Sequence, residues 1–146
     1  YTRLVKGAWA RTAVTWGIEN RTDAVRVIPG DQYSQRIEVR VGGADANPYL
    51  VQAAALATMD IGMREQLLPD EPVLGNAYEA EDDLSPEFHF ASDLMSSAQR
   101  FAASSAAKEQ FGETFVAPFA MTREWEAREY HRTINSWQLE RYFEIV

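Results

Sequence analysis

The sequence predicts an α+β fold, an antiparallel sheet backed by helices, and two observations carry that expectation. Strand-like alternation is confined to the first 42 residues, where "RIEVR" interleaves charged with β-branched side chains. Beyond "GGADANPYL" apolar residues recur at helical spacing, first in an alanine-rich run and again over residues 91–146.

The elements follow in chain order. From Ala8 to Trp16 strand formers mix with polar residues, "GIENRTD" supplies the Gly, Asn and Asp of a turn, and "AVRVIPG" resumes the alternation, so this stretch reads as a hairpin. "PGDQ" turns the chain into a third strand at "RIEVR", and all three strands are expected to pair antiparallel. In that strand Ile37, Val39 and Val41 point toward a core, while Arg36, Glu38 and Arg40 share the opposite face. Arg26 likewise shares its side with Ala24, opposite Val25 and Val27.

Asn47 is a good N-cap and Pro48 suits the first helical position, which predicts a helix from Pro48 to Leu68. Its Ala53, Ala54, Ala55 and Ala57, with Leu50, Val51, Leu56, Met59 and Ile61, predict a largely buried core helix within residues 43–68. Residues 69–90, rich in Pro and acid and without periodicity, read as a surface loop. Residues 91–146 read as a helical tail. A helix capped by Ser92 or Asp93 runs through Ala103, a short segment spans Ala106 to Phe111, and an amphipathic helix spans Ala117 to Ile134. The end, "NSWQLERYFEIV", is helix-like, with Trp137, Leu139, Tyr142 and Phe143 as anchors.

Composition narrows the function classes. With 146 residues, 46% of them hydrophobic, the chain suffices for one domain with a sizeable core. Its net charge of -8 argues against a general grip on nucleic acid or an anionic membrane, so any anion site must be local. The absence of cysteine fits a reducing cytoplasm and excludes thiolate metal sites. No apolar run reaches the roughly 18 residues that a membrane helix needs. The first residue is not Met and stands in what reads as strand or loop, which suggests a processed product or a piece of a longer protein.

A plus, minus, plus strand face is by itself compatible with ordinary solvation. Its neighbours add a different meaning. "YTRLVKG", "NRTDAVRV", "RIEVR" and "GADANPYL" stand in the order, and at nearly the spacing, found in the C-terminal catalytic domain of glutamine synthetase and its relatives. The first 68 residues resemble that domain, and a weaker likeness runs from Glu71 to the C-terminus.

The resemblance implies an enzyme that transfers the γ-phosphoryl group of ATP to the side-chain carboxylate of glutamate. An amine or ammonia then displaces phosphate from the γ-glutamyl phosphate to form an amide. It also implies ATP as co-substrate, Mg²⁺ or Mn²⁺ as the metal, a cytoplasmic location and a homo-oligomeric ring in the whole protein. Such a reaction gathers negative charge, and arginines and a divalent ion are what stabilise it. By the same resemblance Glu38 is a metal ligand, a hard oxygen donor of the type these ions require. Arg3 and Arg40 hold the substrate glutamate, Arg21 contacts the transferred phosphoryl group, and Arg26 and Arg36 serve the ATP phosphates and nucleotide. Permanent charge and a planar, bidentate donor set suit arginine to these tasks.

The chain departs from the family pattern in three places. Where glutamine synthetases read "PGYEAP", with a flap glutamate that helps deprotonate ammonium, this chain reads "KGAWART" and has Trp9 at the glutamate's place. An indole accepts no proton but offers apolar area or a cation-π face to a larger amine. That places the chain nearer relatives such as γ-glutamylpolyamine synthetase, although Trp9 packing at a strand end is the plain alternative. A nucleotide-contacting lysine expected ahead of "RIEVR" has no counterpart in "GDQYSQ". The family's other metal ligands and its small N-terminal sheet domain are not among these residues, so the chain carries about half a site and is expected to be inactive alone. A catalytically silent structural relative is the rival reading, which the presence of Glu38 and the arginines weighs against. Tyr78 falls where many bacterial members carry an adenylylated tyrosine, within a context that agrees in part. His89 and His131 lack ligand spacing and read as structural or solvent-facing, and "REWEAREYHR" reads as a charged helical surface.

Overall fold

The computed structural model describes residues 4–6 and 12–145, which fall into two compact units, Tyr1–Phe90 and Ala91–Val146. Arg3 and Trp9 lie outside the described residues. The α+β class is as expected. In the first unit the strands β1 (Trp16–Ile18), β2 (Val25–Ile28) and β3 (Arg36–Val39) form one sheet in the order β1-β2-β3.

β2 and β3 pair antiparallel, as expected, with Arg26 opposite Glu38 and Ile28 opposite Arg36. β1 corrects the hairpin reading, because it runs parallel to β2, with Gly17 opposite Arg26. Parallel neighbours ordinarily need a long crossover. Here β1 is only three residues long, about 10 Å at strand rise, so Glu19 to Ala24 suffice to bring the chain back. The residues before β1 pair elsewhere: Ala13 forms an antiparallel bridge with His89, Val14 N donates to Phe88 O at 2.7 Å, and Phe90 N donates to Thr12 O at 2.8 Å.

The expected core side of the sheet is also reversed. Ile37 and Val39 are 57% and 47% exposed, whereas Ala24, on the side shared with Arg26, is 1% exposed. Among the described residues the β-branched side of β3 is only about half covered, while ion pairing permits Arg26 to sink into the sheet.

Helix α1 (Pro48–Arg64) starts as the sequence predicts, with Asn47 Oδ1 accepting from Tyr49 N at 3.0 Å and from Leu50 N at 3.3 Å. It stops short of Leu68 because Gln66 takes a left-handed φ of 52° and Leu67 N reaches back to Gly62 O. The buried-core expectation fails here: no residue of α1 is buried, and Leu56 and Met63 are exposed.

The segment 69–90 is more than a surface loop. It contains a short helix, α2 (Ala77–Ala80), and 3₁₀ turns at Glu81–Asp83 and Pro86–Phe88. Ala77 and Glu81 are buried. Val73 N donates to Trp16 O at 2.9 Å, Trp16 Nε1 donates to Asp70 O at 2.7 Å, and buried Glu81 accepts from the Thr12 hydroxyl. Backbone and side-chain hydrogen bonds, which leave no hydrophobic period, fasten it to β1.

In the second unit α3 (Leu94–Ala103), α4 (Ser105–Phe111), α5 (Glu113–Arg132) and α6 (Ser136–Tyr142) follow one another. Asp93 caps α3, accepting from Ser96 N at 2.8 Å, and Asn135 with Gln138 forms a capping box on α6. Gly112, at φ 79°, joins α4 to α5, so α5 begins at Glu113, ahead of the expected Ala117, and carries Pro118 inside it. Val116, Ala120 and Ala98 are buried between α3 and α5, beside an edge-on Phe101–Phe119 pair at 5.7 Å. The charged stretch of α5 behaves as surface, pairing within the helix as Arg123–Glu126, Arg128–Glu124 and Arg132–Glu129. His131 lies exposed in its last turn. Among the described residues no helix is long and apolar enough to cross a membrane.

Candidate active site on the β2–β3 ladder

Antiparallel register places Arg26 directly across from Glu38, and Arg36 two residues away on the same face of β3. Glu38 accepts from Arg26 Nη1 at 3.3 Å and from Arg36 Nη2 at 3.5 Å, contacts at the long end for such pairs. Its side chain is 34% exposed, against 13% for Arg26. Arg26 is gripped harder from its other side, where Glu19 Oε2 accepts from Nη2 at 2.6 Å. That hydrogen bond is the main cause raising the already high Arg26 pKa, with burial opposing it, so the group is a permanent cation. Arg26 Nε is buried and has no hydrogen-bond partner among the described residues.

Arg40 extends the row. Its backbone N–H donates to Ala24 O at 2.8 Å, and its guanidinium donates to the backbone carbonyl of Arg21. The structure thereby brings Arg21 and Arg40 together, with the Arg21 side chain exposed at the turn between β1 and β2. Tyr78 is a close neighbour: burial, foremost, and Glu81 raise its hydroxyl pKa, while the Arg40 charge opposes them. Of the expected site residues, Arg21, Arg26, Arg36, Glu38 and Arg40 thus gather on one ladder and its adjoining turn.

Sequence reasoning gave Asn20 to a turn but missed Thr22 and the distant partners that hold it. Asn20 Oδ1 accepts from Thr22 N at 2.9 Å and from the Thr22 hydroxyl at 2.6 Å, an Asx-type turn. Asn20 Nδ2 donates to Val73 O at 3.2 Å and to Gly75 O at 2.8 Å, and Ala77 N donates to Thr22 Oγ1 at 2.9 Å. Asn followed two residues later by Thr was the available signal. Glu19, at φ 55°, had none.

Chemically, this is a surface for anions with one carboxylate set among cations. Among the described residues no three His, Cys, Asp or Glu side chains converge as a metal site. Glu38 nevertheless fits a single-ligand role toward a hard divalent ion: it offers oxygen donors, stands part-exposed and is held by loose bonds.

The ladder thus places one loosely paired carboxylate among arginines, an arrangement compatible with charged phosphate or carboxylate ligands. The comparisons give the family. The family model "Glutamine synthetase, catalytic domain" matches residues 1–142, and the chain belongs to that family. It is 42% identical over 147 residues to Type-1 glutamine synthetase 2 of Dictyostelium discoideum, covering all of this chain and 28% of that protein. It is 36% identical over 146 residues to a glutamate--isopropylamine ligase of a Pseudomonas species, covering all of this chain and 31% of the ligase. The solved structure "Apo GmaS without ligand" aligns over 91% of this chain and 30% of its own, with a TM-score of 0.70 and 25% identity. The chain therefore spans about a third of the length of the relatives it matches.

Proposed function

We propose that the whole protein of which this chain forms part is an ATP-dependent ligase that joins an amine to the γ-carboxylate of glutamate. The observation that carries the proposal is the Arg26–Glu38–Arg36 arrangement on β2 and β3, within a chain of this family. A glutamate carboxylate oxygen attacks the γ-phosphorus of ATP, and the bond to the ADP oxygen breaks. The amine nitrogen then attacks the acyl carbon of γ-glutamyl phosphate, phosphate leaves, and the amine gives up a proton.

In this reading Arg26 and Arg36 hold nucleotide phosphates, Arg21 faces the transferred group, and Arg3 and Arg40 hold glutamate. Glu38 provides one oxygen ligand for Mg²⁺ or Mn²⁺, which when bound supplies charge neutralisation between the phosphates and the carboxylate. Arg40 has a second task, since its bond to the Arg21 carbonyl couples the glutamate position to the phosphoryl position. The 146 residues alone are inactive in this reading: the remaining ligands lie elsewhere, and the exposed apolar side of β3 and the whole of α1 await cover from the rest of the protein. A ring of subunits and a cytoplasmic location belong to the same proposal.

The acceptor is an organic amine, on two grounds. Trp9 stands at the place of the family's flap glutamate, and one relative is named for isopropylamine. Ammonia is the second reading, favoured by the 42% identity to a protein named glutamine synthetase. The test is initial-rate phosphate release by the whole protein with glutamate, ATP and Mg²⁺ across ammonia, isopropylamine and polyamines. An organic amine is expected to show the highest kcat/KM, and Trp9→Glu is expected to move the ranking toward ammonia. Ammonia as best acceptor, with its rank unmoved by Trp9→Glu, returns the protein to glutamine synthesis; no turnover with any acceptor would favour the silent relative.

A further inference from the structure

A short ion pair joins Arg26 to Glu19, a residue to which the family resemblance assigns no role. Glu19 Oε2 stands 2.6 Å from Arg26 Nη2, whereas the bonds that reach Glu38 measure 3.3 and 3.5 Å. Glu19 makes this contact from φ 55°, a left-handed conformation that a β-carbon disfavours. Its own backbone N–H is anchored on Val27 O at 2.9 Å, so the strained residue is fixed at the end of the β1–β2 ladder. Arg26, largely enclosed in the sheet, has two carboxylates within reach, Glu19 on one side and Glu38 on the other.

We infer that Glu19 is a positioning residue that engages the Arg26 guanidinium from the side away from Glu38, and so keeps the Glu38 carboxylate loosely paired and available to a divalent cation. The inference rests on the reading of Glu38 as a metal ligand. Two carboxylates compete for one largely enclosed cation, and the shorter contact takes the larger share of its charge. Without Glu19, Arg26 closes on Glu38, and an entering cation must displace a tight ion pair in place of a loose one.

The experiment is a titration of the nucleotide-free whole protein with Mn²⁺, followed by calorimetry or by the electron paramagnetic resonance of the free ion. Glu19→Gly removes the carboxylate while suiting the positive φ, so its thermal midpoint is expected to stay at or above that of the parent. Its Mn²⁺ dissociation constant is expected to rise by about tenfold, the order seen when a partner of a metal ligand is lost. Glu19→Asp, which keeps the charge, should recover part of the affinity. Adding Arg26→Met to Glu19→Gly should bring the constant back to within about twofold of the parent, because the competing cation is then gone and the two changes are coupled.

Unchanged Mn²⁺ affinity in Glu19→Gly, alongside weakened affinity in Glu38→Gln, overturns the role of Glu19 and leaves Glu38 in place. A loss that persists in the double variant also overturns it, since Glu19 then acts otherwise than through Arg26. No effect of Glu38→Gln on Mn²⁺ binding removes the metal-ligand reading, and this inference with it.

Discussion

Gly17 sits buried at the centre of β1, opposite Arg26, and the structure leaves no room for a methyl group on it. A Cβ there would lie 2.9 Å from Asn20 Cβ and 3.0 Å from the Val73 carbonyl oxygen, and would press on the Asp23 carboxylate. Two of these neighbours cannot swing aside. Asn20 Cβ is the root of a side chain held by its Asx-turn, and the Val73 carbonyl belongs to a backbone tied to β1 through Val73 N and Trp16 O at 2.9 Å.

Admitting alanine must therefore push the 70–75 segment off β1 or open the turn that carries Arg21. Overpacking of this kind costs about 1–3 kcal/mol. Against it stands a gain of about 0.4–1 kcal/mol from a stiffer unfolded chain, since Gly17 is not among the glycines with positive φ. At the middle of both ranges the clash wins by about 1.3 kcal/mol, which corresponds to local opening roughly ninefold more frequent. Hydrogen exchange of peptides covering residues 70–77, read by mass spectrometry in the whole protein, should speed up by that factor in Gly17→Ala. Unchanged or slower exchange would refute the reasoning and show that the segment yields at no cost.

Three further outcomes follow from the same geometry. Glu38→Gln should lower kcat for phosphate release by more than about 100-fold, since a neutral amide is a poor ligand for a hard divalent ion; wild-type rates at ordinary Mg²⁺ would remove Glu38 from the site. Arg40→Lys should raise the KM for glutamate by about tenfold or more, because a point charge replaces both a planar clamp and the brace on the Arg21 carbonyl; an unchanged KM would assign glutamate to other residues. Asp23 is fully buried, and burial raises its carboxyl pKa despite an opposing hydrogen bond from Thr15. A folded pKa above the unfolded one means that its contribution is fully present below about pH 3.9 and is lost as pH rises through the folded value. Asp23→Asn should flatten that fall in urea midpoints across acidic pH, and an unaltered pH profile would show that the carboxyl is not perturbed.

What was legible in the sequence is what depends on near neighbours. Asn47 and Asp93 each announce a helix because a cap acts within three residues, and both accept the expected backbone bonds. The alternation of Arg36, Glu38 and Arg40 holds for the same reason, since strand geometry alone puts them on one face. α5 starts ahead of the expected Ala117 because Gly112 at positive φ lets the helix begin at Glu113, with Pro118 inside it.

The larger differences arise where the deciding partner is distant. "ENRTD" serves a hairpin or a short parallel return equally well, and the choice turns on Asn20 and Thr22 reaching Val73, Gly75 and Ala77 more than 50 positions away. Arg26 sits largely enclosed because a cation paired with Glu19 and Glu38 tolerates loss of solvent, and the first of these pairs depends on a backbone twist at Glu19 that no pattern of residue types encodes. The same distance effect makes α1 read as core. Its alanines promise close packing, yet among the described residues none of them is more than partly covered. The ladder of the candidate site is set by local register, whereas the cover of α1 and of the apolar side of β3 is not.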